Sequence, residues 1–546
     1  MRWFSLLLVV LLSSSCGQTA ARSSVADAAA TDGPAATCDA ACRLTRARLA
    51  LAADAKAADR VRFIVHLHSP YSKDACDAHG LDASNVPDAT CADHLRQGIC
   101  ASMLAAVFMT DHPSHMKDFP FEQLLFYDAK AGDTLQLDDK SRPYANVLHC
   151  PAQDGLPAHD VTLTVGYEAT HTMPVAMHGH LPSKDLYDVS LSDSETLTSV
   201  QGVVADIHGL GGLVVNAHSE QSDVTAQRLI DAGVDAMEMY NIHANVFAAF
   251  LAHPENLFRM DPWLAPAGQA AHPDLAILGT LQDFPEPAFT MWQQVLQTRN
   301  ITGLVGSDAH ENVIFPQLCG AGGLIDETCQ EQAQIAPNAV AAFTKVDSPV
   351  LLADGVRFDS YKRMLRWYSN RALVPHDGPQ GMPGVEAAMK RGAAYTVWNV
   401  FGEPDGLQFV AAGTGQGGAL LGGMGTPVPA SAGQTVLLAL RFPRVLAEPW
   451  SPFSTADAQT TPREVRVWRI TPAGSEMVAS WDGQTQAQGL QVDSATGIAW
   501  LPVPGPGRYH LEVRIQPLHL TAALKGAAPF AQLWYRWAVT NAIEIQ

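Results

Sequence analysis

The sequence predicts an α/β fold built from parallel β/α units, followed by a small all-β, sandwich-like domain. Two observations predict it. Short apolar runs alternate with stretches of helical spacing from Val61 to Gly306, the rhythm of β/α units. After about residue 402 Gly, Pro, Val and Thr dominate, and short β runs are punctuated by turns such as Pro472-Ala473-Gly474 and Pro504-Gly505-Pro506-Gly507. A chain of 546 residues fits about two to four domains. The composition change narrows this to two, over residues 59–400 and 401–546.

Composition bounds the function. Hydrophobic residues make up 47% and charged residues 16%, so the chain is neither disordered nor supercharged. A net charge of −20 argues against a nucleic-acid surface, which needs a basic stripe against phosphates.

The elements follow in order. Arg2, the apolar run Trp3–Leu12 and the tail Ser13-Ser14-Ser15-Cys16 have the form of an export signal over residues 1–16. The run is shorter than the roughly 20 residues that span a bilayer. Cys16 after small residues resembles a bacterial lipoprotein signal, which implies lipid on Cys16 and a place in the envelope, at the outer membrane or its periplasmic face. Ordinary cleavage near Thr19-Ala20-Ala21 and secretion is the alternative. Residues 17–36 read as a flexible tether, and 37–58 as a short helix. Setting Cys16 aside leaves eight cysteines, an even number that favours disulfides in an exported chain. Cys319–Cys329 is the expected pair, because the two flank a Gly-rich loop far from the rest. Cys38 and Cys42 make only half of a zinc site.

Within the barrel, Val61–Ser69 is β-rich, Cys91–Ala106 has helical spacing and Val107–Asp111 is a short strand. Val161–Tyr167 alternates strictly. Ser192 and Glu195 form a capping box for a helix to Gly209. Leu213–His218 is a strand, Val224–Ala232 a helix, Asp235–Tyr240 a strand, Phe289–Thr298 a helix and Gly303–Gly306 a strand. Beyond 402, Gln434–Phe442, Glu464–Ile470, Gly497–Pro502 and Arg508–Ile515 read as β runs.

Polar residues sit at the ends of these apolar strands. The first closes His66-Leu67-His68-Ser69. Alternation puts both rings on one face, where they can share a metal. The second closes Thr110-Asp111-His112, and the third Tyr167-Glu168, with His180 in a following Gly-His-Leu-Pro turn. The fourth closes Asn216-Ala217-His218, the fifth Met237-Glu238-Met239-Tyr240-Asn241, and the sixth Ser307-Asp308-Ala309-His310. In β/α barrels the loops after the strands form the active face. Imidazole plus carboxylate suits zinc, manganese or iron.

These motifs resemble the polymerase-and-histidinol-phosphatase (PHP) family of metal-dependent hydrolases. The match lies in His66-Leu67-His68-Ser69, Thr110-Asp111-His112, Ala217-His218 and Gly306-Ser307-Asp308-Ala309-His310. Gly166–Pro182, Trp367–Arg371, Arg391–Tyr395 and Trp537–Asn541 look most like its carbaryl-hydrolase-like branch. The resemblance implies a distorted (β/α)7 barrel with two or three divalent ions. It implies that His66, His68, Asp74, His112, Glu168, His180, His218, Asp308 and His310 bind them, with His66, His68, Glu168 and Asp308 at the reacting centre. Two departures stand out: Ile64 where the family usually has Asp, and Ser219 where Pro is common. Asp111 and Glu238 are read as supporting residues, and His243 as a possible substrate contact. His171, His178 and His208 are read as ordinary surface or core histidines.

Two metals bridging a water make a hydroxide that attacks phosphorus or a carbonyl carbon. The expectation is therefore an exported metal-dependent hydrolase of small-molecule phosphoesters or related carboxyl or carbamate esters. The sequence has no Gly-x-Ser-x-Gly elbow, P-loop or dinucleotide fingerprint. A non-catalytic, metal-stabilised surface lipoprotein that binds an envelope or glycan partner is the rival reading. Nucleic acid is not an expected partner.

Overall fold

The computed structural model describes residues 38–546, except 83, 247–252, 281–285, 315–328, 330–331, 344–347, 416–418, 430–434 and 484–486. The signal, Cys16 and tether readings over 1–36, and Cys319, lie outside the described residues.

The chain is a mixed α/β structure with a large mixed sheet and separate antiparallel sheets toward its C-terminus. The strands of the first part are β1 (Ala58–Leu67), β2 (Ala106–Met109), β3 (Thr134–Leu137), β4 (Pro143–Cys150), β5 (His159–Val165), β6 (Thr172–Val175), β7 (Leu213–Asn216), β8 (Ala236–Asn241), β9 (Thr302–Ala309), β10 (Ser369–Pro375) and β11 (Ala394–Val397). β1 pairs in parallel with β2 and β9, β2 with β5, β7 with β8, and β8 with β9. β6 pairs antiparallel with β7. An antiparallel bridge between Val165 and Met177 joins the β5 end to the β6 end, and the sheet closes into a barrel. These strands are short, apolar and almost wholly buried, as expected where both faces of a sheet are covered.

The first half of β1 leaves the ring and pairs antiparallel with β10, which pairs with β11. β11 then pairs with the strand Tyr535–Thr540, near the C-terminus. The large sheet therefore runs without interruption from the barrel into the last part of the chain. Within that part, Gly507–Ile515 pairs with Arg463–Thr471, and Gln408–Gly413 and Val436–Arg441 are central to a separate antiparallel sheet. The helix Ala40–Ala57 packs Ala47, Ala50 and Leu51 onto the separate sheet, against Val410, Leu437 and Trp500.

Two expectations are corrected. The helix to Gly209 starts at Leu197, and its cap is Thr196, whose hydroxyl accepts from the Ser199 N–H at 3.3 Å. Ser192 instead bonds Ser194 and the Asp223 carbonyl, so no capping box forms there. Simple alternation also fails in β1. Phe63 and Val65 pack in the barrel interior, whereas Ile64 and Leu67 pack in the outer core. Two outer residues three apart require an extra residue between them. That residue is His66, with φ of +61° and a register shift on both sides of β1. Strict alternation would have sent His66 and His68 outward with Ile64. The bulge turns both rings inward, as bulges beside functional sites do.

Cys76–Cys91 and Cys100–Cys150 form disulfides, and Cys38, Cys42 and Cys329 are disulfide-bonded as well. Cys38 and Cys42 are thus withdrawn from metal binding. Among the described residues no helix is long and apolar enough to cross a membrane.

Candidate metal centre

The ends of β1, β2, β5, β7, β8 and β9 deliver one cluster of imidazoles and carboxylates. It comprises four overlapping groups: His68, Asp74, His112 and His310; His66, His68 and Asp308; His66, Glu168 and His218; and His243, Asp308 and His310. Within each group the ligand atoms lie within 4.8 Å of one another. Backbone strain helps to converge them. His66, His218 and Asp308 all hold left-handed φ, at +61°, +52° and +50°, a conformation that costs on the order of 1–3 kcal/mol and needs surrounding structure to hold it.

The rings share one orientation. Nδ1 of His66 faces Glu238 at 2.7 Å, that of His68 faces the Ser72 hydroxyl at 3.0 Å, and that of His218 faces Glu220 at 3.2 Å. Nδ1 of His112 faces both the Glu168 carbonyl at 3.2 Å and the Glu168 carboxylate at 2.8 Å, and that of His310 faces the Asp308 carbonyl at 2.8 Å. A carbonyl only accepts, so Nδ1 donates in the last two, and Nε2 carries the lone pair. The five Nε2 atoms turn toward carboxylates: His66 and His68 toward Asp308 at 3.2 and 3.4 Å, His218 toward Glu168 at 3.2 Å, and His112 and His310 toward Asp74 at 3.4 and 3.5 Å. This is the arrangement of metal-binding histidines, whose second nitrogen is tied to an outer partner.

Nε2 of His66, His68 and His310 are buried and make no hydrogen bond. A buried polar atom without a partner is costly. Lone pairs on imidazole and carboxylate converging on a common space fit a divalent cation. These groups can hold a metal ion.

The electrostatics point the same way. Burial disfavours a charged His66, yet Asp308 and Glu238 outweigh it and push the ring up to about 10. At His112, Asp74 and Glu168 overcome burial to the same extent, to about 10. Burial pushes His310 down to about 4 despite Asp308 and Asp74. His68 lies well below its ordinary value through burial and the neighbouring His310. Burial would raise Asp74, Glu168 and Asp308, but the surrounding rings hold all three below the usual carboxylate range. The cluster is a well of negative potential that favours cations.

It is open on one side. His66 and His68 are fully buried, whereas the side chains of His112, His243 and Asp74 are 21%, 20% and 34% exposed. The loop after β1 is fastened from below. Asp111 accepts from the Ser69 N–H and hydroxyl at 2.5 and 2.7 Å, while burial pushes its own carboxyl up to about 6.

Of the residues expected from the sequence, His66, His68, Asp74, His112, Glu168, His218, Asp308 and His310 come together. His180 does not. Its Nδ1 bonds the Tyr187 hydroxyl at 2.7 Å and its Nε2 the Phe119 carbonyl at 2.8 Å, so both nitrogens are taken. His243, expected only as a substrate contact, takes a place in the cluster, with Nδ1 at 3.5 Å from Asp308. It lies two residues past β8, as His218 lies two past β7, and that spacing was the available signal. His171 bonds Asp223 and the Ala217 carbonyl, and His208 bonds Asp235. The His178 ring lies 4.4 Å from the Tyr144 ring, tilted by 35°. Ile64 packs in the outer core, and the carboxylate that faces His66 Nδ1 is that of Glu238 on another strand. Ser219 accepts from the Asn216 amide at 2.7 Å.

No protein-family model matches this chain, and no curated protein matches it.

Proposed function

We propose that the protein is a metal-dependent hydrolase of phosphoesters or related esters, similar to the PHP family, with His66, His68, Asp74, His112, Glu168, His218, His243, Asp308 and His310 holding two or three divalent ions of zinc, manganese or iron. The observation that supports this reading is the ring orientation shared by His66, His68, His218 and His310: each Nδ1 is tied to an outer partner while each Nε2 faces the common space. A bound divalent ion supplies Lewis acidity, which lowers the pKa of water toward neutrality and offsets charge developing on an ester oxygen.

The chain's own residues supply the rest. Glu238, Ser72, Glu220 and the carbonyls of Glu168 and Asp308 orient the rings. Asp74, Glu168 and Asp308 provide the negative charge that offsets more than one divalent ion. Burial of His66, His68 and Asp308 excludes water from the back of the site, and the exposed edge at Asp74, His112 and His243 is where an ester enters. The reading extends to location. Disulfides at Cys76–Cys91 and Cys100–Cys150 support an oxidising compartment, and lipid on Cys16 is the proposed anchor.

The test is metal analysis of the purified chain by mass spectrometry, then a panel of phosphomonoesters, phosphodiesters, carboxyl esters and carbamates with the metals found. Stoichiometric transition metal and turnover that His66→Ala with Asp308→Ala abolishes are expected. Metal without turnover on any panel favours a non-catalytic surface protein; no metal overturns the proposal.

A further inference from the structure

Glu238 touches two members of the His66/Glu168/His218 group but belongs to none of the four groups. Its side chain is 1% exposed. Oε1 accepts from His66 Nδ1 at 2.7 Å. Oε2 accepts from the His218 backbone N–H at 2.9 Å and from the Asn241 amide at 3.2 Å. One carboxylate therefore holds the ring of one ligand and the backbone of another, and the backbone it holds is a left-handed one, at φ +52°.

The space for this carboxylate comes from a third strand. A Cβ on Gly306 would lie 1.7 Å from Glu238 Oε1 and 3.1 Å from the His66 Cβ. Gly306 does not have a positive φ, so its missing side chain serves clearance and not backbone freedom. Residues of β1, β8 and β9 and of the turn after β7 thus meet at one buried carboxyl group directly behind the cluster.

We propose that Glu238 is a positioning residue of the metal centre. It selects the His66 tautomer that leaves Nε2 facing the cluster, and it fixes the turn that delivers His218, with Gly306 reserving its place. The proposal rests on the reading of the cluster as a metal centre and not on the reaction assigned to it. Outer carboxylates of this kind carry about 10–100-fold in metal affinity.

The test uses the full mature chain and Zn²⁺ or Co²⁺ competed against a chromogenic chelator, with circular dichroism to check folding. Glu238→Gln keeps the volume but sets an amide N–H₂ against either the His66 N–H or the His218 N–H. It is expected to fold, to lose about 10–100-fold in affinity and to shift the visible spectrum of bound Co²⁺. Gly306→Ala is expected to do the same by displacing Glu238. Because both act through one carboxylate, they are non-additive: Gly306→Ala costs much less in a Glu238→Ala background. If Glu238→Ala does not fold, the same comparison is made in Glu238→Ser, which likewise removes the atom that a Gly306 side chain would meet. Wild-type affinity and an unchanged Co²⁺ spectrum in Glu238→Gln overturn the proposal alone, as does an equal cost of Gly306→Ala in both backgrounds. A wild-type chain that binds neither ion overturns the metal reading and this proposal together.

Discussion

Asp308→Asn is the sharpest perturbation of the cluster. The Asp308 side chain is 4% exposed, and its carboxylate lies 3.2 Å from His66 Nε2, 3.4 Å from His68 Nε2, 3.5 Å from His243 Nδ1 and 3.9 Å from His218 Nε2. Asn keeps the shape and one oxygen but removes the charge. An outer partner costs about 10–100-fold when lost, so a ligand must cost more. Breaking a buried charge pair by removing one partner costs about 3–5 kcal/mol, which is a factor of roughly 10²–10⁴ in affinity. The retained oxygen puts Asn near the lower end, at about a hundredfold. The loss is also selective. Asp308 belongs to the groups with His66/His68 and with His243/His310, but not to those centred on Asp74 or Glu168. Titration against a chelator, with metal counted per chain, is expected to show part of the metal lost at unchanged fold. Wild-type affinity at every site would refute Asp308 as a ligand. Equal weakening of all sites would refute the division into groups.

Three further outcomes follow from the same geometry. His180→Ala is expected to leave metal content unchanged and His243→Ala to lower it; the reverse result in metal counting restores His180 as a ligand. The loop holding Asp74 is tied to the backbone of His310 and Glu311 through the Cys76 and Asp77 N–H groups, at 2.7 and 3.1 Å, and is clamped by Cys76–Cys91. Replacing both cysteines by Ser releases a crosslink of separation 15, worth about 3 kcal/mol, and should empty the Asp74 group first; retention of that ion with loss of another would contradict the clamp. Glu386 is half-buried, but its Oε1 is shielded from water without a hydrogen-bond partner, and burial pushes the carboxyl up to about 8. A folded pKa above the unfolded one gives stability that is present in full below the ordinary value of 4.5 and lost as pH rises through about 8. Glu386→Gln should therefore gain in melting temperature over the wild type between pH 5 and pH 9, and a pH-independent difference would count against the shift.

Much of the centre was legible because its signals are local. A strand such as Phe63–Val65 declares itself by apolar content, and a polar residue at its end has few reasons to be there except the site. The separation of His180 from the cluster and the inclusion of His243 in it have a common cause. His180 stands in a turn beside the motifs, but its ring is consumed by Tyr187 and by the Phe119 carbonyl, 61 residues earlier. His243 has the less conspicuous sequence context and the better position. Strands β10 and β11 were visible only as segments resembling other proteins, since Ser369–Pro375 has no clean alternation and gains its place by pairing with β1 on one side and β11 on the other.

Local patterns along the chain encode the alternation of strands and helices, the residue types carried at each strand end, and so the chemistry available. Which way those residues face came from packing between distant segments. A single bulge at His66 reverses the face of everything after it, because side chains alternate with a period of two and one added residue shifts that period. Glu238 was legible as a supporting residue, but not what it supports, since its place depends on the vacant side-chain position of Gly306 on a neighbouring strand. Register and clearance between strands are properties of pairs of segments far apart in the chain, and no local pattern encodes them.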